Sequence, residues 1–362
     1  MSNSDIRVVP GPANYFSHPG SLERLSDFFN ADQLSRAVWV YGERALAGAE
    51  PFLPAAFHLP EAKKILFTGH CSERDVAGLV QASGDDRAVV IGVGGGALLD
   101  SAKVLARRLG VPLVAIPTIA ATCAAWTPLS VWYSDAGQAL NFEIFDDANF
   151  LVLVEPRIIL NAPAEYLLAG IGDTLAKWYE AVVLAPQPKA LPLTVRLGIN
   201  GALAIRDVLL ASSETALADQ RRGDLTQAFR DVVEAIIAGG GMVGGLGERY
   251  TRVAAAHAVH NGLTVLPQTD KFLHGTKVAY GILVQSALLG QDDVLAQLVQ
   301  AYQRFNLPTT LAALEVDINN RAELDRVIAH TLRPGESIHY LPVTLTPEVL
   351  RAAFEKVEYF SR

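Results

Sequence analysis

The chain has 362 residues, of which 50% are hydrophobic and 19% charged, and 30 Lys and Arg against 38 Asp and Glu give a net charge of −8. That length suits two domains with a large buried core and excludes intrinsic disorder, and with no Lys/Arg cluster it excludes nucleic acid as the main partner. Cys71 and Cys123 are too few for a disulfide framework, the opening MSNSDIRVVPGP lacks the layout of a secretory signal, and no apolar run approaches the ~18 residues of a membrane span, so a cytoplasmic protein with no membrane partner is expected.

In chain order, the first part alternates short apolar runs with helical patterns. Strands are expected at Ile6–Val9, Ala37–Tyr41, Ile65–Thr68, Ala88–Val93, Leu113–Ile116 and Phe150–Val154, with helices such as Ser72–Ala82 and Ala97–Leu109 between them. Nearly continuous apolar strands separated by helices imply a parallel sheet covered on both faces. From Pro163 onward convincing strands are absent. Helices are expected at Ala164–Val183, Thr194–Leu210, Leu225–Gly239, Tyr250–Asn261, Gly275–Leu288, Asp293–Phe305, Arg321–His330 and Pro347–Lys356. The reading is an α/β Rossmann-like domain over residues 1–160 and an all-α domain over residues 161–362.

Within the first domain, AVVIGVGGGALLDSAKVLARRLG reads as a buried strand, a turn carrying Gly92, Gly94, Gly95 and Gly96, and a helix opening near Ala97. Glycines admit a ligand close to the backbone, and a helix start offers free N–H groups and a positive dipole end, which together suit a pyrophosphate. The acid expected about 20 residues further on, for the ribose hydroxyls, is missing, because Ser101 to Thr118 contains no Asp or Glu. Glu43, after the strand Ala37–Tyr41, is the acid at the end of a neighbouring strand. A purely structural turn is the alternative.

In the helical part, Gly172-Asp173, the run AAAHAVHNG with His257 and His260, and Leu273-His274-Gly275 stand out. Residues three apart share a helix face, so His257 and His260 can look the same way, and His274 can return to them at the start of the next helix. One Asp and two His make a ligand set for a divalent ion with an open position. The same spacing also serves packing or capping histidines.

VGGGALLDSAK, VAIPTIAATCAAWTPLSVWY, LAGIGDTLAKWYEA, AAAHAVHNG and LHGTKVAYG occur in this order along the chain. Together they resemble the iron-containing (group III), glycerol dehydrogenase-like alcohol dehydrogenases, whose fold is dehydroquinate synthase-like, over almost the full length. The resemblance implies a nicotinamide dinucleotide between the two domains and a catalytic divalent metal, zinc first and iron(II) second. It implies that Gly94, Gly95 and Gly96 meet the pyrophosphate with Asp100 nearby. Thr118, Thr127, Leu129 and Tyr133 would line the cofactor path, and Glu43 would face the adenosine ribose. Asp173, His257 and His274 would be the metal ligands, with His260 as a proton relay. A homo-oligomer is also implied.

Two departures bear on the substrate. Cys123 stands where glycerol dehydrogenases carry an Asp, and Lys177 stands four residues after Asp173, where relatives have His or a small polar residue. Losing an anion and gaining a cation favours a carboxylate over neutral glycerol, because a unit pair at 4 Å is worth roughly 4 kcal/mol before desolvation at an effective dielectric of 20. Lys177 could also pair with Asp173 in place of the ion, and would then be the catalytic group that polarises the ketone oxygen. The expected activity is reduction of a small 2-oxo acid, such as 2-oxobutyrate or 2-oxoglutarate, to the 2-hydroxy acid. For the cofactor, Glu43 favours NAD(H), whereas Arg44 and the branch of the family that reduces 2-oxo acids favour NADP(H), which is the expected form. Alternatives are an NAD-dependent glycerol or polyol dehydrogenase, a dehydroquinate synthase-like lyase, or a binding protein without catalysis.

Overall fold

Six short strands pair in parallel in the first half of the chain: β1 (Asn14–Ser17), β2 (Ala37–Tyr41), β3 (Lys63–Leu66), β4 (Val89–Gly94), β5 (Leu113–Pro117) and β8 (Leu151–Val154), in the order β1-β8-β5-β4-β2-β3. The computed structural model describes residues 6–135, 137–185 and 190–362. Strands β4, β5 and β8 are buried along their whole length, as strands covered on both faces must be, while β3 at the edge is largely exposed. Trp39 on β2 is fully buried and meets Phe57 edge-on at 5.1 Å.

From β2 the chain runs outward to β3, then crosses back to β4 on the other side and continues to β5 and β8. The direction therefore reverses between β2 and β4, which pair in parallel with Tyr41 opposite Val93. The turns after Tyr41 and after Gly94 thus leave the sheet side by side, at the kind of switch point where open α/β sheets bind ligands. Helices α1 (Glu43–Ala49) and α3 (Gly96–Leu109) begin in these turns. Between them α2 (Glu73–Ser83) is capped by Ser72, whose hydroxyl accepts from the Asp75 amide at 3.2 Å. Glycine 110, at φ 66°, ends α3 in the left-handed region with Arg107 and Arg108 in the last turn.

Three expectations are corrected here. Residues Ile6–Val9 lie outside any strand: Ile6 packs on a cluster of Ala181, Ala185, Val195 and Ile199, and the first strand begins at Asn14. The strand expected at Ile65–Thr68 lies two residues earlier. An antiparallel hairpin, β6 (Leu129–Tyr133) with β7 (Ala139–Ile144), was not expected. It is anchored from α3, because buried Lys103 donates to the carbonyls of Thr127 and Leu129 and Asp100 accepts from the Val131 amide at 3.1 Å.

Among the described residues no strand follows Val154. After a short helix at Pro156–Leu160, the main helices are α4 (Ala164–Leu184), α5 (Leu193–Arg222), α6 (Ala255–Leu263), α7 (His274–Leu288), α8 (Asp292–Phe305), α9 (Arg321–Thr331) and α10 (Pro347–Phe360), with a helical run from Gln227 to Gly247 after α5. Helix α5 is 30 residues long and passes well beyond the expected Leu210. The run after it contains a π turn at Ala235–Gly239, and α6 starts only at Ala255, because Glu248–Thr251 is a separate 3₁₀ turn. Contacts divide the chain into two units: Val9–Pro163 with Asp219–Gly245, and residues through Val8 with Ala164–Ala218 and Leu246–Arg362. The sheet unit thus takes in a helical segment that the sequence reading assigned to the second half. No helix among the described residues is long and apolar enough to cross a membrane.

In the helical unit α7 is buried over nearly its whole length and packs on α4, α6, α8 and α10. Glycines set two of these crossings. A Cβ on Gly275 would lie 1.9 Å from the Ala169 carbonyl oxygen, and one on Gly281 would lie 2.2 Å from that of Ala256. Backbone therefore lies directly on backbone beside His274 and His257.

Candidate metal centre and dinucleotide site

Asp173 projects from the middle of α4, His257 from the first turn of α6 and His274 from the first residue of α7. The Asp173 Oδ1 atom lies 3.1 Å from His274 Nε2 and 3.6 Å from His257 Nε2, and one ligand atom from each residue lies within 4.8 Å of the others. Donors around an ion bound tetrahedrally at about 2.1 Å sit about 3.4 Å apart, so the spacing fits. Asp173 Oδ1 is buried and makes no well-formed hydrogen bond despite these neighbours. Buried polar atoms normally find partners, and one left over among converging nitrogens is what a cation site requires. The three residues could hold a divalent ion.

Electrostatics agree with this assignment. Burial would push the Asp173 carboxyl up, but the imidazoles of His257 and His274 and the charge of half-buried Lys177 outweigh it and hold the group well below the usual carboxylate range. Burial likewise opposes charge on His257, yet Glu180 and Asp173 raise it to about 9. An ion must therefore displace a proton from this ring below that pH.

Glu180, on α4 seven residues after Asp173, was absent from the sequence-derived site. It is completely buried, and its Oε2 accepts from His257 Nδ1 at 2.7 Å. Its Oε1 accepts from the Ala254 amide at 2.6 Å and the His257 amide at 3.1 Å. Helix α6 has Ala254 as its N-cap and no cap from its own side chains, so a neighbouring carboxylate caps it. Gln285 from α7 completes the cap at the amides of Ala255 and Ala256 and donates to the Tyr179 carbonyl at 2.7 Å. The same contacts that start α6 thus fix where His257 points. The available signal was a lone acid two helical turns from Asp173 in an apolar stretch.

His260 comes to the same place, its Nε2 3.1 Å from His274 Nδ1 and its Nδ1 3.0 Å from Asn261 Oδ1. Burial, followed by the charges of His274, Lys277 and His257, pushes it well below the ordinary histidine range, so it is neutral. Both ring nitrogens are engaged within the protein.

In the sheet unit, Gly95 is the N-cap of α3 with no side-chain cap, so the first amides of a 14-residue helix are free for an anion. Exposed Glu43 opens α1 beside this turn, across the switch point. The turn glycines also serve the fold, since a Cβ on Gly92 would meet Ala102 at 2.9 Å and one on Gly94 would meet Leu98 at 2.8 Å. None of the four turn glycines has a positive φ. A pocket here is lined by Gly95, Gly96, Pro117, Ile119, Thr122 and Ala125, among others. Thr118 is buried, with its amide on the Gly94 carbonyl at 3.1 Å. Asp100 is committed elsewhere: it pairs with Lys103 at 2.8 Å and holds the hairpin. Thr127 and Leu129 likewise give their carbonyls to Lys103, and the Tyr133 amide donates to Cys71. Cys123 is half-buried in the loop before β6, and it and Cys71 form no disulfide.

Comparison with known proteins accords with these features. The sequence profile described as "Iron-containing alcohol dehydrogenase" matches residues 12–156. The chain is 80% identical over 360 residues to hydroxycarboxylate dehydrogenase A of Escherichia coli (strain K12), covering 99% of both chains. It is 34% identical to glycerol dehydrogenase of Pseudomonas putida over 96% of each. A solved structure, a probable glycerol dehydrogenase from Sinorhizobium meliloti 1021, superimposes with a TM-score of 0.85 at 28% identity, over 98% of this chain and 99% of that one. Enzymes of this kind use a nicotinamide dinucleotide and a divalent metal, and the cluster at Asp173 fits the latter. The chain belongs to the iron-containing alcohol dehydrogenase family and is a dehydrogenase.

Proposed function

We propose that the protein reduces a small 2-oxo acid, of the class of 2-oxobutyrate or 2-oxoglutarate, to the 2-hydroxycarboxylate with hydride from a nicotinamide cofactor. The observation that carries the reading is the convergence of Asp173, His257 and His274 on one point in a chain 80% identical to a hydroxycarboxylate dehydrogenase. A divalent ion there, zinc in this proposal with iron(II) as the other candidate, supplies Lewis acidity toward a carbonyl oxygen.

The remaining roles fall to the chain itself. Asp173, His257 and His274 hold the ion and Glu180 orients His257. The free amides at Gly95 and Gly96 bind the pyrophosphate, with Gly94 shaping the turn, and Glu43 faces the adenosine ribose. Thr118, Thr127, Leu129 and Tyr133 flank the cofactor, whereas Asp100 supports it only indirectly through Lys103 and the hairpin. Lys177 attracts the substrate carboxylate, and Cys123 leaves its position without the negative charge that would repel it. His260, hydrogen-bonded at both ring nitrogens, orients its neighbour, and it or a water relays the proton. NADPH is the proposed hydride donor, with exposed Arg44 as the cation for its 2′-phosphate. A dinucleotide domain at residues 1–160 and a metal and substrate domain at residues 161–362, less the segment Asp219–Gly245 that groups with the sheet unit, belong to the same proposal, as do a homo-oligomeric state and a cytoplasmic setting.

Steady-state rates with 2-oxobutyrate, 2-oxoglutarate and glycerol, each with NADPH and NADH, test it. A 2-oxo acid should give the highest kcat/KM in the metal-loaded enzyme. Preference for glycerol, or turnover of no carbonyl compound at all, overturns the proposal.

A further inference from the structure

Each histidine that faces Asp173 has its remote ring nitrogen tied down, but in different ways. For His257 the partner is the carboxylate of Glu180. For His274 it is a chain of two neutral groups, His260 and Asn261, that ends on a carboxylate. His274 Nδ1 lies 3.1 Å from His260 Nε2, His260 Nδ1 lies 3.0 Å from Asn261 Oδ1, and Asn261 Nδ2 donates to Glu336 Oε2 at 2.9 Å. Glu336 is buried and pairs with Arg333 through Nε at 2.7 Å and Nη2 at 2.6 Å. Arg333 is steadied in turn by His330, whose Nε2 accepts from its Nη1 at 2.6 Å while its Nδ1 donates to the Asn261 carbonyl at 3.0 Å.

The direction of every bond in this chain follows from its far end. A carboxylate only accepts, so the Asn261 amide must turn its NH₂ to Glu336 and its oxygen to His260. That oxygen also only accepts, so the His260 proton sits on Nδ1 and the lone pair on Nε2. The lone pair faces His274 Nδ1, which must then carry the hydrogen. In neutral His274 this leaves the Nε2 lone pair free on the side of Asp173, where an ion needs it.

We infer that Glu336, acting through Asn261 and His260, sets the tautomer of His274 and is a positioning residue for metal binding. The inference rests on the proposed metal site at Asp173 and adds residues 261, 333 and 336 to what supports it. Removing such support from a ligand histidine typically lowers metal affinity roughly 10–100-fold.

Cobalt(II) binding to the full-length protein, measured by competition with a chromophoric chelator and by the visible spectrum of the bound ion, tests this without reference to turnover. Asn261→Leu removes the acceptor for His260 and should weaken binding roughly 10–100-fold and alter the spectrum. The double variant Asn261→Asp/Glu336→Gln exchanges donor and acceptor between the two side chains yet still presents an oxygen to His260 Nδ1. It should return affinity to within about threefold of the parent if bond direction is what matters. Undiminished affinity in Asn261→Leu, or a folded double variant no better than Asn261→Leu, overturns the inference. A parent protein that binds no cobalt overturns the metal site itself, which is a separate outcome.

Discussion

Replacing Glu180 by Gln isolates the effect of one proton on the metal site. The oxygen at Oε1 receives two backbone amides, at 2.6 and 3.1 Å, and these can only donate, so the Gln oxygen must stay there. Its NH₂ then faces His257 Nδ1 across the present 2.7 Å contact. Two donors cannot share that contact, so the ring moves its proton to Nε2, the nitrogen turned toward Asp173. Metal affinity should fall roughly 10–100-fold, about 1.4–2.7 kcal/mol. The lost charge works in the opposite sense below pH 9. In the parent enzyme without metal, Glu180 helps to keep a proton on His257 up to about 9, and binding must displace it. The variant holds that proton less tightly, so its defect should be small near neutral pH and reach its full size above pH 9. Fold stability should change little, since both amides stay satisfied. Glu180→Ala, by contrast, leaves two buried amides dry at about 1–3 kcal/mol each and should unfold at a clearly lower temperature. Zinc affinity by chelator competition across this pH range, with thermal melts of the metal-free proteins, reads both effects. Parental zinc affinity in Glu180→Gln at pH 9.5 would refute the tautomer argument.

Other substitutions probe the packing, the substrate and the cofactor. Gly275→Ala places a methyl group 1.9 Å from the Ala169 carbonyl oxygen and 2.9 Å from Asp173 Cβ, and backbone cannot yield as a side chain does. Melting temperature and metal affinity should drop together, with at least about 1–3 kcal/mol lost from the fold, and an unchanged melt would show that the helices can part freely. Lys177→Met should raise KM for 2-oxobutyrate about 10–100-fold, within the roughly 4 kcal/mol available to an ion pair before desolvation. An equal loss on an uncharged aldehyde would instead assign Lys177 to the metal site. Glu43→Ser removes a carboxylate from the proposed ribose site, so kcat/KM should rise for NADPH relative to NADH; a fall in that ratio would place the 2′-phosphate elsewhere.

Local apolar pattern carried most of the fold. Strands β2, β4, β5 and β8 and the long helices could be read because burial on both faces, or on one helical stripe, is written into consecutive residues. The hairpin β6–β7 could not be read in this way. All six residues of β7 are exposed, and its anchor is tertiary, the Lys103 and Asp100 pair on α3. Ile6–Val9 misled for the converse reason, since its apolar side chain at Ile6 belongs to a helical cluster rather than a sheet. At the site, residue type and spacing brought Asp173, His257, His260 and His274 into view. Glu180 could have been found by counting two helical turns from Asp173, whereas Asn261 and Glu336 could not, because their meeting depends on how α6 packs on the turn after α9.

The short motifs GD, AH and HG can be explained by geometry as much as by chemistry. Each proposed ligand adjoins a residue that carries no side chain or a single methyl group: Gly172 before Asp173, Ala256 before His257 and Gly275 after His274. A Cβ on Gly172 would lie 2.5 Å from the Gly275 carbonyl oxygen, so α4 and α7 touch at the very residues next to two ligands, while Gly281 lets α7 lie on Ala256 beside the third. Donor atoms must come within about 3.4 Å of one another to share an ion, although helices packed through ordinary side chains stand 8–10 Å apart. Side chains can bridge that distance, and the close backbone contacts here fix the positions from which Asp173, His257 and His274 reach a common point. The small residues are therefore part of the ligand set in a physical sense: enlarging one of them should cost metal affinity even though it contributes no donor atom.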